Sequence, residues 1–458
     1  MTDPPDTDQQ NTAQQNTDPL KAGQQNTAPL KAGQQPKVRR LSRVTMDVRP
    51  FRYRQFRLIF WGNILSQVGA QMTLVAVAVQ VYALTGSSAM VGYTSLWALI
   101  PLVVFGLIGG ALADTLDRRK LVIWSTLLTA FTSVLLYLQA VAGLDNVWLI
   151  WILVAVQSAA AAAYRPARSA MLPRLIPEEL LPAANTIASS TMSGAMIIGP
   201  LVAGVIVAHT GVNWAYLTEA VLLLLAILSL VGLAAQPPTQ DAGRRNPFGT
   251  AISDTIAGFR YLRTQPLLSM QYVVDLIAMV FGWPLAVFPA LADGRFGQGS
   301  IGWLYAGASI GAVLAGLFSG WISHLQRHGA AIIISVAIWG AAITAFAFSG
   351  SLLVGLVCLG IAGAADLVSA SLRMTMLQVL TPDEMRGRMQ GVFMVVVAGG
   401  PRLGDVRLGL MATLFTPTIA LWSGGLTIVL LMALIALTFG LLWTYRPRPA
   451  TACAVDDH

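Results

Sequence analysis

The chain has 458 residues, of which 55% are hydrophobic and only 11% charged, with a mean hydropathy of +0.65; an ordinary soluble domain carries roughly 25% charged residues. That composition excludes a soluble globular enzyme. The formal charge of +8, from 29 basic and 21 acidic residues, reads as basic loops held at one membrane face rather than as a nucleic-acid footprint. Unbroken apolar runs of about 20 residues exclude a transmembrane barrel, whose strands are roughly 10 residues long and alternate.

Residues 1–50 are rich in Gln, Asn, Thr, Asp and Pro and have little to bury, which predicts a disordered cytoplasmic tail. The tail contains a tandem decapeptide, QQNTDPLKAG at 14–23 followed by QQNTAPLKAG at 24–33, too short and polar for a solenoid. It is expected to be dispensable. No apolar stretch precedes residue 57, so no signal peptide is expected. Lys37, Arg39, Arg40, Arg43, Arg49, Arg52, Arg54 and Arg57 crowd the start of the first apolar run and predict a cytoplasmic N-terminus.

Apolar windows then predict an all-α integral membrane protein of twelve transmembrane helices. The first six fall at 57–83, 89–113, 120–143, 147–168, 184–209 and 214–234. The second six fall at 267–291, 300–323, 330–349, 352–376, 389–411 and 418–443. The longest internal connection separates them, so the predicted parts are an N-terminal six-helix bundle (51–234), a cytoplasmic linker (235–266) with Pro237, Pro238, Arg244, Arg245, Arg260 and Arg263, a C-terminal bundle (267–445) and a tail (446–458). Alternate loops hold Arg118, Arg119 and Lys120; Arg165, Arg168 and Arg174; the linker arginines; Arg327; Arg373, Arg386 and Arg388; and Arg446 and Arg448. The intervening loops hold Arg295 alone. Both termini are thus expected in the cytoplasm, with the short loops 85–88, 144–146 and 349–351 outside.

An internal repeat marks the same seam. RSAMLPRLIPEEL (168–180) aligns with RMTMLQVLTPDEM (373–385) at a constant offset of 205, matching Arg168 to Arg373, Met171 to Met376, Pro177 to Pro382, Glu178 to Asp383 and Glu179 to Glu384. Duplicated halves with a substrate site between them, near the midplane, are the plan of secondary transporters.

After the second span the chain reads GALADTLDRRK (110–120). Here it resembles the major facilitator superfamily, whose signature in that loop is G-x-x-x-D-(R/K)-x-G-R-R-K. Gly110, Asp114, Arg118, Arg119 and Lys120 match, while Thr115 and Asp117 depart from the basic residue and the glycine. The resemblance implies the major facilitator fold and a cytoplasmic latch, with Asp114 at a helix N-terminus in the other half and the arginines paired with nearby acids. A carboxylate so placed gains roughly 0.3–1 kcal/mol, enough to bias a conformational equilibrium without locking it. The second-half counterpart, GLFSGWISHLQRH (316–328), has lost these charges.

The fifth span contains GAMIIGPLVAG (194–204), similar to the superfamily's antiporter motif, with Gly194, Gly199, Pro200 and Gly204 permitting close packing and a bend; Gly400-Pro401 repeats the pair in the eleventh span. AYRPARSAMLPRLIPEELLPAAN (163–185), NWAYLTEA (213–220), TPDEMRGRMQGV (381–392) and GPRLGD (400–405) resemble the enterobactin-exporter branch and its actinobacterial relatives. That likeness implies a proton-driven efflux pump of the bacterial inner membrane, for a drug or a siderophore-like cargo.

Ionisable groups at membrane depth are costly and invite functional hypotheses. Proton-coupling candidates are Asp405, then Asp366 and Asp275, with Glu219 near the outer end of its helix and Arg402 placed one turn from Asp405 as its ion-pair partner. Arg373 reads as a snorkelling topology residue. In the first span Asn63, Gln67 and Gln71 form a polar stripe at i, i+4 and i+8 that must avoid lipid, and are cargo-binding candidates. Relatives in the exporter branch commonly carry an acid where this chain has Ala70. Trp97, Trp283 and Trp303 suit either an aromatic cavity or, more commonly for tryptophan near helix ends, interfacial anchoring.

No metal-spaced His or Cys cluster, no phosphate loop and no catalytic constellation is present in the sequence, so no cofactor or metal is expected. The expected partners are a small amphiphilic cargo, protons and lipid, with no nucleic acid and a monomeric state. The alternatives are an importer or facilitator, and a non-transporting sensor or scaffold, which would have no need of the latch.

Overall fold

The computed structural model describes residues 47–237 and 247–446, with the side chains of 107–114, 247–251, 323, 390 and 394 excepted. The tail with its decapeptide repeat up to residue 46, linker residues 238–246 and the end from 447 onward lie outside the described residues.

The first half comprises α1 (Arg54–Thr85), α2 (Ser88–Thr115), α3 (Arg118–Val141), α4 (Val147–Leu175), α5 (Leu181–Thr210) and α6 (Val212–Val231). Then come α7 (Pro247–Thr264), α8 (Pro266–Gly282), the single turn α9 (Phe288–Leu291), α10 (Ile301–Leu317), α11 (His328–Ala347), α12 (Leu352–Leu380), α13 (Asp383–Leu414), α14 (Pro417–Thr438) and the short α15 (Gly440–Thr444). Eleven spans among the described residues are long and apolar enough to cross a membrane. The twelfth is α13, too charged to qualify by apolarity alone but 32 residues long and packed against α2, α8 and α14.

Helix limits follow from local chemistry. Asp117, Asn146, Ser351 and Thr416 cap α3, α4, α12 and α14 by accepting the first free backbone N–H groups. Gly86 ends α1 with φ +61°, a left-handed conformation that costs glycine little. The seventh span, expected as one helix over 267–291, is broken: α8 stops at Gly282, and Trp283 is extended because the ring of Pro284 excludes the helical conformation before it.

Large apolar side chains face outward, among them Leu228 (73% exposed), Leu353 (72%) and Leu437 (85%), as lipid rather than water requires. Polar side chains turn inward instead. The linker, read from sequence only as a connection, contains α7; an apolar window passes over it because it is amphipathic and carries Asp254, Arg260 and Arg263. Its Asp254 carboxylate meets Arg388 of α13 at 3.2 Å.

The halves meet closely at the end bearing the 85–88 loop. Ser87 Oγ and Thr413 Oγ1 lie 3.2 Å apart, and Thr413 Oγ1 accepts from Ala89 N at 2.9 Å. Nearby, α5 crosses α10 with so little separation that a Cβ on Gly204 would sit 2.6 Å from the Gly302 backbone, and one on Gly302 2.5 Å from the Pro200 carbonyl.

Candidate functional site

Between the halves lies a cavity of about 410 Å³, walled by α1, α2, α4 and α6 on one side and by α10, α13 and the 283–286 break on the other. Most of its lining is apolar. Its polar groups include Gln71, Thr73, Ser95, Gln157, Glu219, Arg402 and Asp405, with Thr94, Thr129 and Ser158 beside them and Trp283 and Tyr305 as aromatic walls.

Glu219 belongs to α6 and is only 1% exposed. Its Oε2 accepts from Thr73 Oγ1 of α1 and, at 2.8 Å, from Ser133 Oγ of α3; Gln157 Nε2 of α4 donates to the same serine at 3.1 Å. Glu219, expected near the outer end of its helix, is thus enclosed by neighbouring helices rather than facing water. Four helices converge on the carboxylate, and Gly69, where a Cβ would touch the Glu219 Cγ at 3.0 Å, lets α1 approach it.

Asp405 of α13 is 6% exposed and sits across the same cavity. Its Oδ2 accepts from Ser95 Oγ of α2 at 2.7 Å, while Oδ1 is buried without a hydrogen-bond partner among the described residues. The expected Asp405–Arg402 pair is not formed. Arg402 Nη1 donates to Ala398 O, 2.8 Å away on its own helix, because helical side chains lean toward the N-terminus and so carry Arg402 away from a partner one turn later.

Asp275 does have an ion-pair partner. Its Oδ1 lies 2.6 Å from Arg373 Nη1, and both side chains are buried, 7% and 13% exposed. Arg373 is thus corrected from a snorkelling residue to the buried counterion of Asp275, and the pair joins α8 to α12 outside the central cavity. Asp366 lies two turns earlier than Arg373 on the same face of α12, half-buried.

The first-span stripe points inward but divides. Gln71 reaches the central cavity, Gln67 Nε2 contacts the sulfur of Met192 at 2.5 Å, and Asn63 lines a separate pocket near the arginine-rich end. Eight helical residues span roughly 12 Å, too far for one cargo-sized site to gather both ends. Trp283 lines the cavity and stacks on Trp339 at 6.2 Å, whereas Trp97 and Trp303 are substantially exposed on the lipid side.

The side chains of Gly110 and Asp114 lie outside the described ones. Arg118 Nη1 donates to Ala170 O at 3.2 Å, Arg119 Nη2 to Val231 O at 2.5 Å, and Lys120 is exposed. Asp117, the departure from the signature glycine, caps α3 through Arg119 N and accepts from Gln236 N at 3.3 Å, tying this loop to the seam. In α5, Gly199 packs against Val68 and Gln71 of α1 and Gly204 against α10, while Pro200 remains within the helix and Gly194 meets no neighbour.

A family model described as transmembrane secretion effector matches residues 45–445. Enterobactin exporters EntS of Escherichia coli O1:K1 / APEC and Shigella boydii serotype 4 are each 29% identical over 403 residues, which is 88% of this chain and 96% of theirs. Among solved structures, the nucleoside transporter NupG aligns with a TM-score of 0.66 at 13% identity, over 86% of this chain and 100% of its own. A peptide transporter POT in complex with sulfate aligns at 0.67 and 14%, over 86% and 96%; identities this low speak for the fold. The chain belongs to the transmembrane secretion effector family within the major facilitator superfamily, and is a multi-pass efflux-type transporter rather than an enzyme.

Proposed function

We propose that the protein is a proton-coupled exporter of a small amphiphilic molecule, drug-like or siderophore-like, working by alternating access in the bacterial inner membrane with both termini cytoplasmic. The observation that carries this reading is the placement of two buried carboxylates, Glu219 from the first half and Asp405 from the second, on opposite walls of one cavity. When the halves rock, Ser95 and Asp405 part company, because they sit on helices of different halves. A carboxylate that loses a donor and gains water changes its proton affinity, and that change is what couples proton release to conformation. Glu219 keeps its donors within one half and serves as the second acidic group of the cavity.

The largely apolar lining with Trp283, Tyr305, Gln71 and Gln157 fits a cargo with an aromatic or apolar body and a few polar groups. The enterobactin exporters among the relatives accord with a cargo of that kind. The test is accumulation of a fluorescent lipophilic cation in energised cells expressing wild type or Asp405→Asn, with and without a protonophore. Lower accumulation in wild type, abolished by the mutation and by the protonophore, is expected. Equal accumulation in wild type and mutant removes broad drug efflux, and export of a catecholate siderophore becomes the assay.

A further inference from the structure

The duplicated halves carry two equivalent small pockets near the arginine-rich end, each of about 110 Å³. Several corresponding positions line both. Ile59, Phe60 and Asn63 of α1 correspond to Gln271, Tyr272 and Asp275 of α8 at an offset of 212, and Arg168 and Leu172 of α4 correspond to Arg373 and Leu377 of α12 at the repeat offset of 205. Ala188 of α5 corresponds to Phe393 of α13 at the same 205.

The chemistry differs at one position. In the second half the carboxylate of Asp275 neutralises Arg373 at 2.6 Å. In the first half the matching arginine, Arg168, faces an amide, Asn63, and makes no ion pair or hydrogen bond among the described residues. Asn63 is 3% exposed, and its Oδ1, an acceptor, is buried without a partner among the described residues, so only its amide N–H groups could serve an anion. Asn185 and Ser169 add polar groups to the same wall, and Phe56, Phe60 and Leu172 close the rest. Arg168 is half-buried at the arginine-rich end of α4, and its planar fork of donors fits a carboxylate or a phosphate. The pocket has room for a group the size of several waters.

We infer that the first-half pocket is an anion site, in which Arg168, assisted by the amide N–H groups of Asn63 and Asn185, holds beside it the oxyanion head of a ligand that supplies the charge Asp275 supplies in the second half. The ligand is a carboxylate or phosphate group with an apolar neighbour, and this chemistry has two sources: a soluble anion arriving from the arginine-rich face, or the phosphate of an anionic lipid. The site shares no lining residue with the central cavity, so the inference stands apart from the proton-coupling proposal.

The experiment measures the unfolding midpoint of the full chain in nanodiscs at constant ionic strength. One arm adds inorganic phosphate or acetate to phosphatidylcholine discs, and the other replaces part of the phosphatidylcholine by phosphatidylglycerol. A rise in the midpoint in the first arm identifies a soluble anion, and a rise confined to the second identifies a lipid phosphate. In either case Asn63→Asp, which installs the second half's own neutralising carboxylate, is expected to weaken anion binding at least about tenfold. Arg168→Gln is expected to do the same, and carries the test should Asn63→Asp not fold. Absence of any anion-dependent rise in wild type, or an undiminished rise in Asn63→Asp or Arg168→Gln, overturns the inference.

Discussion

Gly302→Ala tests whether the close crossing of α5 and α10 belongs to one conformer of a rocking transporter. The added Cβ would sit 2.5 Å from the Pro200 carbonyl oxygen and 3.1 Å from the Cα atoms of Leu201 and Gly204. All three are backbone atoms, so no rotamer change relieves the clash and the helices must separate. Overpacking of this kind costs about 1–3 kcal/mol, and a single methyl belongs at the lower end. If the contact exists only while this end is closed, the whole penalty falls on that state, and a penalty of about 1 kcal/mol shifts the opening equilibrium by about 5-fold. The reporter is Ser87→Cys in a background with Cys358 and Cys453 replaced, because Ser87 is half-buried against Thr413 at the same end. Its labelling by a membrane-impermeant maleimide on intact cells is expected to accelerate in Gly302→Ala, and also in Gly204→Ala, whose Cβ meets the Gly302 backbone at 2.6 Å. Unchanged labelling in a variant that unfolds at the wild-type midpoint would refute the assignment of this crossing to a gate.

Asp275→Asn and Arg373→Gln each leave one buried charge without its partner, and each is expected to destabilise the protein by about 3–5 kcal/mol, with the double variant recovering most of the loss; additive losses in calorimetry of the purified transporter would show that the two groups act independently. Glu219→Leu strands the Thr73 hydroxyl, while Ser133 can still donate to Thr129 O at 2.8 Å, and is expected to cost about 1–3 kcal/mol more than Glu219→Gln, which keeps an acceptor for Thr73; equal unfolding midpoints would contradict the convergent network. Asp117→Ala removes the cap of α3 at a cost of about 0.5–2 kcal/mol, seen as earlier proteolysis of the 115–120 loop. Removing residues 1–45 is expected to leave transport rates unchanged, and a slower rate would give the decapeptide repeat a role.

The twelve spans were legible because lipid imposes a simple rule: about 20 apolar residues in succession, with polar groups turned inward. The rule fails where its premise does. It passes over α7, which is amphipathic and packs on α13, and it treats the seventh span as one helix because hydropathy is blind to the conformational veto that Pro284 places on Trp283. Site residues were legible as types and not as partners. A buried acid announces itself in sequence, yet Asp275 and Arg373 are 98 positions apart, and only the packing of α8 on α12 reveals the pair. Glu219 is the sharper case, because its donors are a threonine and a serine on α1 and α3, residues so common in membrane helices that no motif marks them. Conversely, Arg402 and Asp405 looked paired because spacing alone was considered, whereas the backward lean of helical side chains sends Arg402 to Ala398. The repeat holds the remaining information: once RSAML and RMTML are known to match, the structure extends the match to Asn63 and Asp275, and the half that kept its carboxylate shows what the other half lacks. Among the described residues Arg373 has an acid beside it and Arg168 has an amide, a difference that is intelligible where something else supplies the charge in the first half.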